Sequence, residues 1–214
     1  MYSIERVINK DQRKVMRAFI DENHSYINYS DRPSRKLYWL LFEKEKMVGV
    51  FGLGSCFHRP KAVNKFMTDN DLEFNEVANN TVFCLAHHEG RNAGSSLLAL
   101  CRADAIDWWY ERYGDILKSF QTFILPPRTG AVYKADNWSE LGHTSGGNTL
   151  ITNTIRKKDY ESEPEKYPNI EIRTFNNGQI RYLVRSFKKT EPKLIFMKLN
   201  TSKNINKVLG QGFI

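Results

Sequence analysis

The residues best suited to chemistry in this 214-residue chain form the turn RNAGSS, Arg91 to Ser96. The turn follows the apolar run TVFCLAHH and enters LLALCRADAIDWWYERYG, where Leu97, Cys101, Ala105, Trp108 and Arg112 recur at helical spacing. A helix start presents N–H groups that have no partner within the helix, together with the positive end of the dipole, so a glycine-containing turn there suits a phosphate or pyrophosphate. Arg91 supplies charge, Asn92, Ala93 and Gly94 supply backbone that a ligand can approach closely, and Ser95 and Ser96 add hydroxyl donors. The expectation is a phosphate-bearing cofactor held at the strand-to-helix turn from Phe83 to Leu98. A tight turn before a helix, with no ligand, explains the same residues more plainly.

A second group lies in the polar stretch HSYINYSDRPSR, where His24, Tyr26 and Tyr29 could line a site, against the plainer account of solvated loop residues. His87 and His88 are neighbours on a strand and face opposite ways, so they cannot both hold one metal ion. His58 and His143 have no partner within sequence reach, and no metal site is expected from spacing. Cys56, Cys84 and Cys101 are odd in number and lack CxxC spacing, so neither a zinc knuckle nor a disulfide framework is suggested, and buried, idle thiols are expected.

These residues need a scaffold, and the chain reads as one α/β domain. SIERVI is a strand, and Asp11 is expected to cap the helix DQRKVMRAFIDEN, with Val15, Met16, Phe19 and Ile20 on one face. KLYWLLFEKEKMVGVFGLGS is a hairpin, and His58 to Asn80 is expected to be loop with a short helix. After the strand and long helix of the turn come the strand LKSFQTFIL, the break at Pro126 and Pro127, and a short helix GAVYKADNW that ends before SELGHTSGG. Beyond Gly146, YESEPEKYPN is a linker, and IEIRTF, QIRYLVRSF and KLIFMKL are strands. The division expected is a domain over 1–150 and a basic, β-rich C-terminal extension over 151–214 packed on it.

The formal charge is +8 and the pI about 9.3, and Arg156 to Lys207 carries 13 basic residues against 6 acidic ones. That imbalance favours a polyanionic partner, DNA above all, while a solvated charged surface explains it equally well. No apolar run reaches the roughly 18 residues of a membrane span, and MYSIERVINK has no apolar stretch for a signal peptide, so the expected place is the cytoplasm, without a membrane partner.

The order strand, hairpin, strand, RNAGSSLL, helix, strand and GAVYKADNWSELG resembles the GNAT acetyltransferase superfamily over about Ile4 to Thr144. That resemblance implies a GNAT-like mixed central sheet flanked by helices. In the family, Arg/Gln-x-x-Gly-x-Gly/Ala cradles the coenzyme A pyrophosphate; here Ser96 stands where the last glycine is usual. It implies an acetyl-CoA or related acyl-CoA donor bound by Leu85, Ala86 and His87 of the strand and by Arg91 to Ser96, with Tyr133 as the acid that protonates the departing thiolate. A tyrosine packed on the sheet is the alternative for Tyr133.

RTGAVYKADNWSELGHTSG and the early HSY look like the phage Mom-type DNA modification proteins, which are associated with a carbamoylmethyl group on adenine N6. NNTVF, RNAGSSLL, WWYERYG and YKADNWSELG are as similar to the DruA-type defence family. Both resemblances place the chain near phage DNA and bacterial defence, and they imply a transferase acting on a nucleic-acid base. His24 and Tyr26 are then catalytic candidates that could orient the base or bind a metal ion, while Tyr29, Phe57, Asn137 and Trp138 contact or stack on the base. Trp108 and Trp109 continue the buried helix stripe and are assigned to the core. An ordinary N-acetyltransferase acting on a small molecule or tRNA, and a degenerate GNAT domain that only binds nucleic acid, remain the alternatives.

Overall fold

The computed structural model describes residues 1–24, 35–56, 58–86, 88–201, 205 and 210, with backbone only at 149–151 and 188. The chain divides into two compact units, 1–144 with 194–214, and 145–193. Residue 150 therefore falls inside the second unit, and LIFMKL, Leu194 to Leu199, belongs to the first.

The first unit runs β1 (Tyr2–Arg6), α1 (Lys10–Asn23), β2 (Lys36–Glu43), β3 (Lys46–Ser55), α2 (Lys61–Asp69), β4 (Val77–Leu85), α3 (Ala93–Tyr113), β5 (Ser119–Ile124), α4 (Ala131–Ala135) and β6 (Ser139–His143). In the second lie β7 (Gly147–Ile155), α5 (Lys157–Ser162), β8 (Ile170–Thr174) and β9 (Ile180–Thr190), before β10 (Leu194–Leu199) returns to the first. The seven-stranded sheet has the order β1-β2-β3-β4-β5-β10-β6, antiparallel except where β4 meets β5. It is a mixed sheet flanked by helices, the fold class expected from the sequence.

Side-chain alternation divides the core between the two faces. Leu37, Trp39 and Leu41 of β2 pack with Leu97, Cys101, Ala105 and Trp109 of α3. Leu40 of the same strand packs with Met16 and Ile20 of α1. Asp104 is the polar pin of α3: it accepts from Arg6 Nε and Nη2 at 2.8 and 2.9 Å and from Trp39 Nε1 at 2.7 Å. Trp108 and Trp109 are both buried, as the helix stripe required. So are all three thiols, and burial pushes Cys56 up to about 11 and Cys101 well above the usual thiol range.

Several local expectations are corrected. The cap of α1 is Asn9 rather than Asp11: Asn9 Oδ1 accepts from Gln12 N at 2.9 Å, and Gln12 Oε1 accepts from Asn9 N at 3.1 Å, a reciprocal box that Asp11 has no partner to form. Val15, expected on the buried face, is 48% exposed. The segment from His58 to Asn80, expected as loop with a short helix, holds the helix α2 but ends in the first four residues of β4 rather than in loop. SELGH is the strand β6, held by pairing with β10, and the expected linker YESEPEKYPN contains the end of α5 and a 3₁₀ turn. No helix among the described residues is long and apolar enough to cross a membrane.

Candidate functional site

β4 and β5 pair in parallel only over Val77–Asn79 and Ser119–Gln121, after which the two strands part. From Thr81 onward, among the described residues, β4 has a strand partner on its β3 side alone. The pairing of β4 with β3 also shifts register: Gly52 faces Val82 and Leu53 faces Asn80, so Thr81 is a bulge residue. The extra residue brings Asn80 and Phe83 to the same face. The Asn80 amide mends the interrupted ladder, with Nδ2 donating to Gly52 O and Val82 O at 2.8 Å each.

Tyr133 of α4 stands beside the parted strands. Its hydroxyl donates to Asn80 Oδ1 at 2.6 Å, its ring meets Phe83 edge-on at 6.2 Å, and it is 4% exposed. Two devices place it. Gly130 opens α4 at φ +70°, and a Cβ there would stand 2.5 Å from Phe196 Cε2, so β10 and the helix meet at a residue that only glycine fits. At the other end, Asp136 accepts from Arg102 Nε and Nη2 at 2.7 Å each and from Trp138 Nε1 at 2.8 Å, while Lys198 Nζ donates to the Asp136 and Asn137 carbonyls.

The string YKADNW thus has a local mechanical explanation. Asp136 is the anchor, Asn137 takes the left-handed turn at φ +57°, and Trp138 packs on Tyr133 and Phe120. Asn137 is exposed, whereas Trp138 is buried with its N–H committed, which leaves it no open ring face for a base.

Leu85 ends β4 half-buried, and the N–H of Ala86 is already taken by Val48 O at 2.9 Å. His87, Tyr26, Tyr29 and Phe57 lie outside the described residues. Beyond them the turn is anchored by an acid: Glu43 accepts from Glu89 N at 2.8 Å and from Gly90 N at 3.1 Å. Arg91 and Asn92 are exposed, Ala93 is buried, and Gly94, Ser95 and Ser96 are half-buried in the first turn of α3. Among the described residues no side chain caps this helix start; Ala93 N donates to Gly90 O at 3.2 Å, and the hydroxyl of Ser95 turns back to Asn92 O at 3.3 Å.

Gly94 has a packing role. A Cβ there would approach Val132 Cγ2 to 2.7 Å, so glycine lets α3 and α4 meet beside Tyr133. Gly94→Val is therefore expected to lower stability by about 1–3 kcal/mol through overpacking, as read from urea unfolding. A fully parental midpoint would show that α4 yields freely.

The Glu43 anchor predicts a pH effect. Hydrogen bonds from Glu89 and Gly90 hold its carboxyl below the usual carboxylate range, against some desolvation. A depressed folded pKa gives stability that is present above the unfolded value and lost as pH falls through the folded one. The melting-temperature advantage of the parent over Glu43→Gln is expected to be full above the unfolded carboxylate value of about 4.3 and to shrink progressively as pH falls below it. A difference unchanged across that range would remove the carboxylate from the account.

His24 ends α1 with its backbone N–H on Ile20 O at 2.8 Å. Burial first, and then the charge of Arg128, push its pKa below the ordinary histidine value, and the same Arg128 charge reaches Cys84. No cluster of metal-ligating side chains occurs among the described residues. Cavities of about 260 and 310 Å³ open elsewhere, beside Arg35, Asn75 and Trp109 and beside Arg59, Asn64 and Asp71.

Sequence reasoning found the turn and Tyr133 but missed Asn80 and Glu43. The string NNTVF of the DruA-type resemblance holds the first without assigning it a role, and nothing distinguished the second from the other acids of the hairpin turn.

Fold and site together define a mixed α/β protein whose central strands part beside the start of a long helix. The chain belongs to the family described as Druantia protein DruA, whose model matches residues 1–209. No curated protein matches. Among solved structures, it is similar to the N-acyl amino acid synthase FeeM from uncultured soil microbes, at 10% identity over 91% of this chain and 94% of that one, with a TM-score of 0.46. An aminoglycoside acetyltransferase in complex with coenzyme A and kanamycin aligns at 9% identity over 97% and 99%, with a TM-score of 0.44. A GNAT family acetyltransferase from Elizabethkingia anophelis with acetyl-CoA bound aligns at 10% identity over 93% and 98%, with a TM-score of 0.39. These superpositions are partial.

Proposed function

We propose that this DruA-family chain is a transferase that uses an acyl-CoA-type donor to modify a base of DNA, with adenine N6 as the acceptor. The observation that carries the proposal is the parting of β4 from β5 beside the uncapped start of α3, with Tyr133 held in the gap by Asn80. A strand edge without a partner accepts an amide-bearing arm as it would another strand. The first-turn N–H groups of a long helix attract its phosphates, and exposed Arg91 adds a cation. Coenzyme A carries both groups. The donor's thioester supplies an activated carbonyl carbon.

In acyl transfer an amine bonds to that carbon, the C–S bond breaks, and the thiolate takes a proton. Tyr133 is the proposed source of the proton: its hydroxyl lies where the strands part, and it would turn from Asn80 Oδ1 to the departing thiolate. The choice of adenine N6 rests on the resemblance of RTGAVYKADNWSELGHTSG to Mom-type proteins. An exocyclic adenine nitrogen is a weak nucleophile because its lone pair is delocalised, so the group transferred and the activation of the base are the demanding parts of the reaction. Nucleoside mass spectrometry on DNA from expressing cells tests the reading: a modified deoxyadenosine that disappears in Tyr133→Phe supports it, and an unchanged nucleoside profile opposes it.

A second reading is favoured by Glu43. Its carboxylate already holds two N–H groups of the turn and sets a negative charge beside the proposed pyrophosphate site. With Ser96 in place of the usual last glycine, this supports a domain that has given up the coenzyme and only binds nucleic acid.

A further inference from the structure

The second unit is a three-stranded antiparallel sheet in the order β7-β9-β8, and its two faces differ sharply. On one face Tyr182 of β9 meets Tyr160 of α5 with ring centroids 5.5 Å apart, so the helix covers it there. The other face receives Arg181, Leu183, Arg185, Phe187 and Lys189 from β9 and Glu171 and Arg173 from β8, since alternate residues share a face. Four cations thus stand there against one carboxylate.

The arrangement is costly for the protein alone. Arg173 and Arg181 are directly opposed in the register, and like charges at such a pair destabilise a sheet. Glu171 bridges Arg173 at 2.7 Å and Arg185 at 2.5 Å, which orients those two guanidinium groups but neutralises only one charge. The Arg181 guanidinium lies over the Phe175 ring at 4.7 Å and donates to Gln179 Oε1 at 3.1 Å. In the same row Phe187 is 74% exposed, an aromatic with no place in a core. Side chains two residues apart on a strand stand about 6.6–6.8 Å from one another, so cations flank the ring on both sides along β9.

We propose that this face binds single-stranded DNA, with Arg173, Arg181, Arg185 and Lys189 on phosphates and Phe187 stacked on a base. Complementary charge argues for the polyanion, and the exposed ring argues for a single strand, because a duplex hides the faces of its bases. The choice of DNA rests on the reading proposed above.

Fluorescence anisotropy with a labelled oligothymidine of about 16 nucleotides tests it, with a hairpin duplex for comparison. The full chain is expected to bind the single strand more tightly than the duplex. Phe187→Ala is expected to weaken single-strand binding roughly fivefold to 150-fold, the range for loss of one stacking platform. The double variant Arg173→Gln, Arg181→Gln is expected to flatten the salt slope by about 0.7 for each phosphate that is no longer neutralised. Lys65→Gln on α2 serves as the control and should bind as the parent does. Absent binding at low salt, variants that bind like the parent, or a duplex preference that Phe187→Ala leaves alone would each overturn the proposal. Coenzyme affinity is read separately on the same proteins. Coenzyme binding without DNA binding sinks this surface alone, and DNA binding without coenzyme binding sinks the transferase reading alone.

Discussion

Tyr133→Phe is expected to cut turnover roughly a hundredfold to ten-thousandfold while leaving coenzyme affinity at the parental value, the signature of losing a proton donor whose ring remains. The substitution removes one oxygen from a buried contact. Asn80 keeps its two bonds across the bulge but loses the hydroxyl at 2.6 Å, and an orphaned buried acceptor costs about 1–3 kcal/mol. A fall in melting temperature alone would be consistent with packing, so single-turnover rates on folded protein decide the matter. Parental rates would leave Tyr133 as a sheet tyrosine and move the acid role to His24 or water.

Asp136→Ala is expected to be the most damaging single change to the fold. The Arg102 and Asp136 side chains are 13% and 10% exposed, and truncation leaves the guanidinium with no anion and Trp138 Nε1 with no acceptor. Breaking one partner of a buried pair costs about 3–5 kcal/mol. For a chain of this length that corresponds to a fall in melting temperature of roughly 6–20 °C. Asp136→Asn keeps an acceptor oxygen and should lose less. A loss under about 1 kcal/mol for the alanine variant, the scale of an exposed pair, would contradict the anchoring role.

The parts of the fold legible in the sequence are those where one periodicity dominates. The β2–β3 hairpin, the long α3 with Trp108 and Trp109 inside, and the strands β8 to β10 all announce themselves through apolar spacing. The start of β4 does not, because Asn79 and Asn80 are turn formers by local preference, held in a strand by β3 and, at Asn79, by β5 as well. β7, GNTLITNTI, is equally hard to foresee: its glycine and asparagines read as loop, and its pairing partner lies more than 25 residues away along the chain. Within the site, the turn and Tyr133 could be found by motif, yet Gly94 and Trp138 acquire their roles from packing. Gly94 yields space to Val132, and Trp138 closes on Asp136, contacts between elements that spacing within one element does not encode. Glu43 reaches the turn from a hairpin about 46 residues earlier, beyond the range of local pattern.

The central claim is that the start of α3 and the open edge of β4 hold an acyl-CoA-type donor. Isothermal titration calorimetry of the full chain with acetyl-CoA tests it most directly. The account predicts saturable binding at one site per chain, weakened in Arg91→Ala by the loss of a phosphate partner and retained in Tyr133→Phe. Heats no greater than dilution at millimolar ligand, in a parent protein that melts cooperatively, would contradict it.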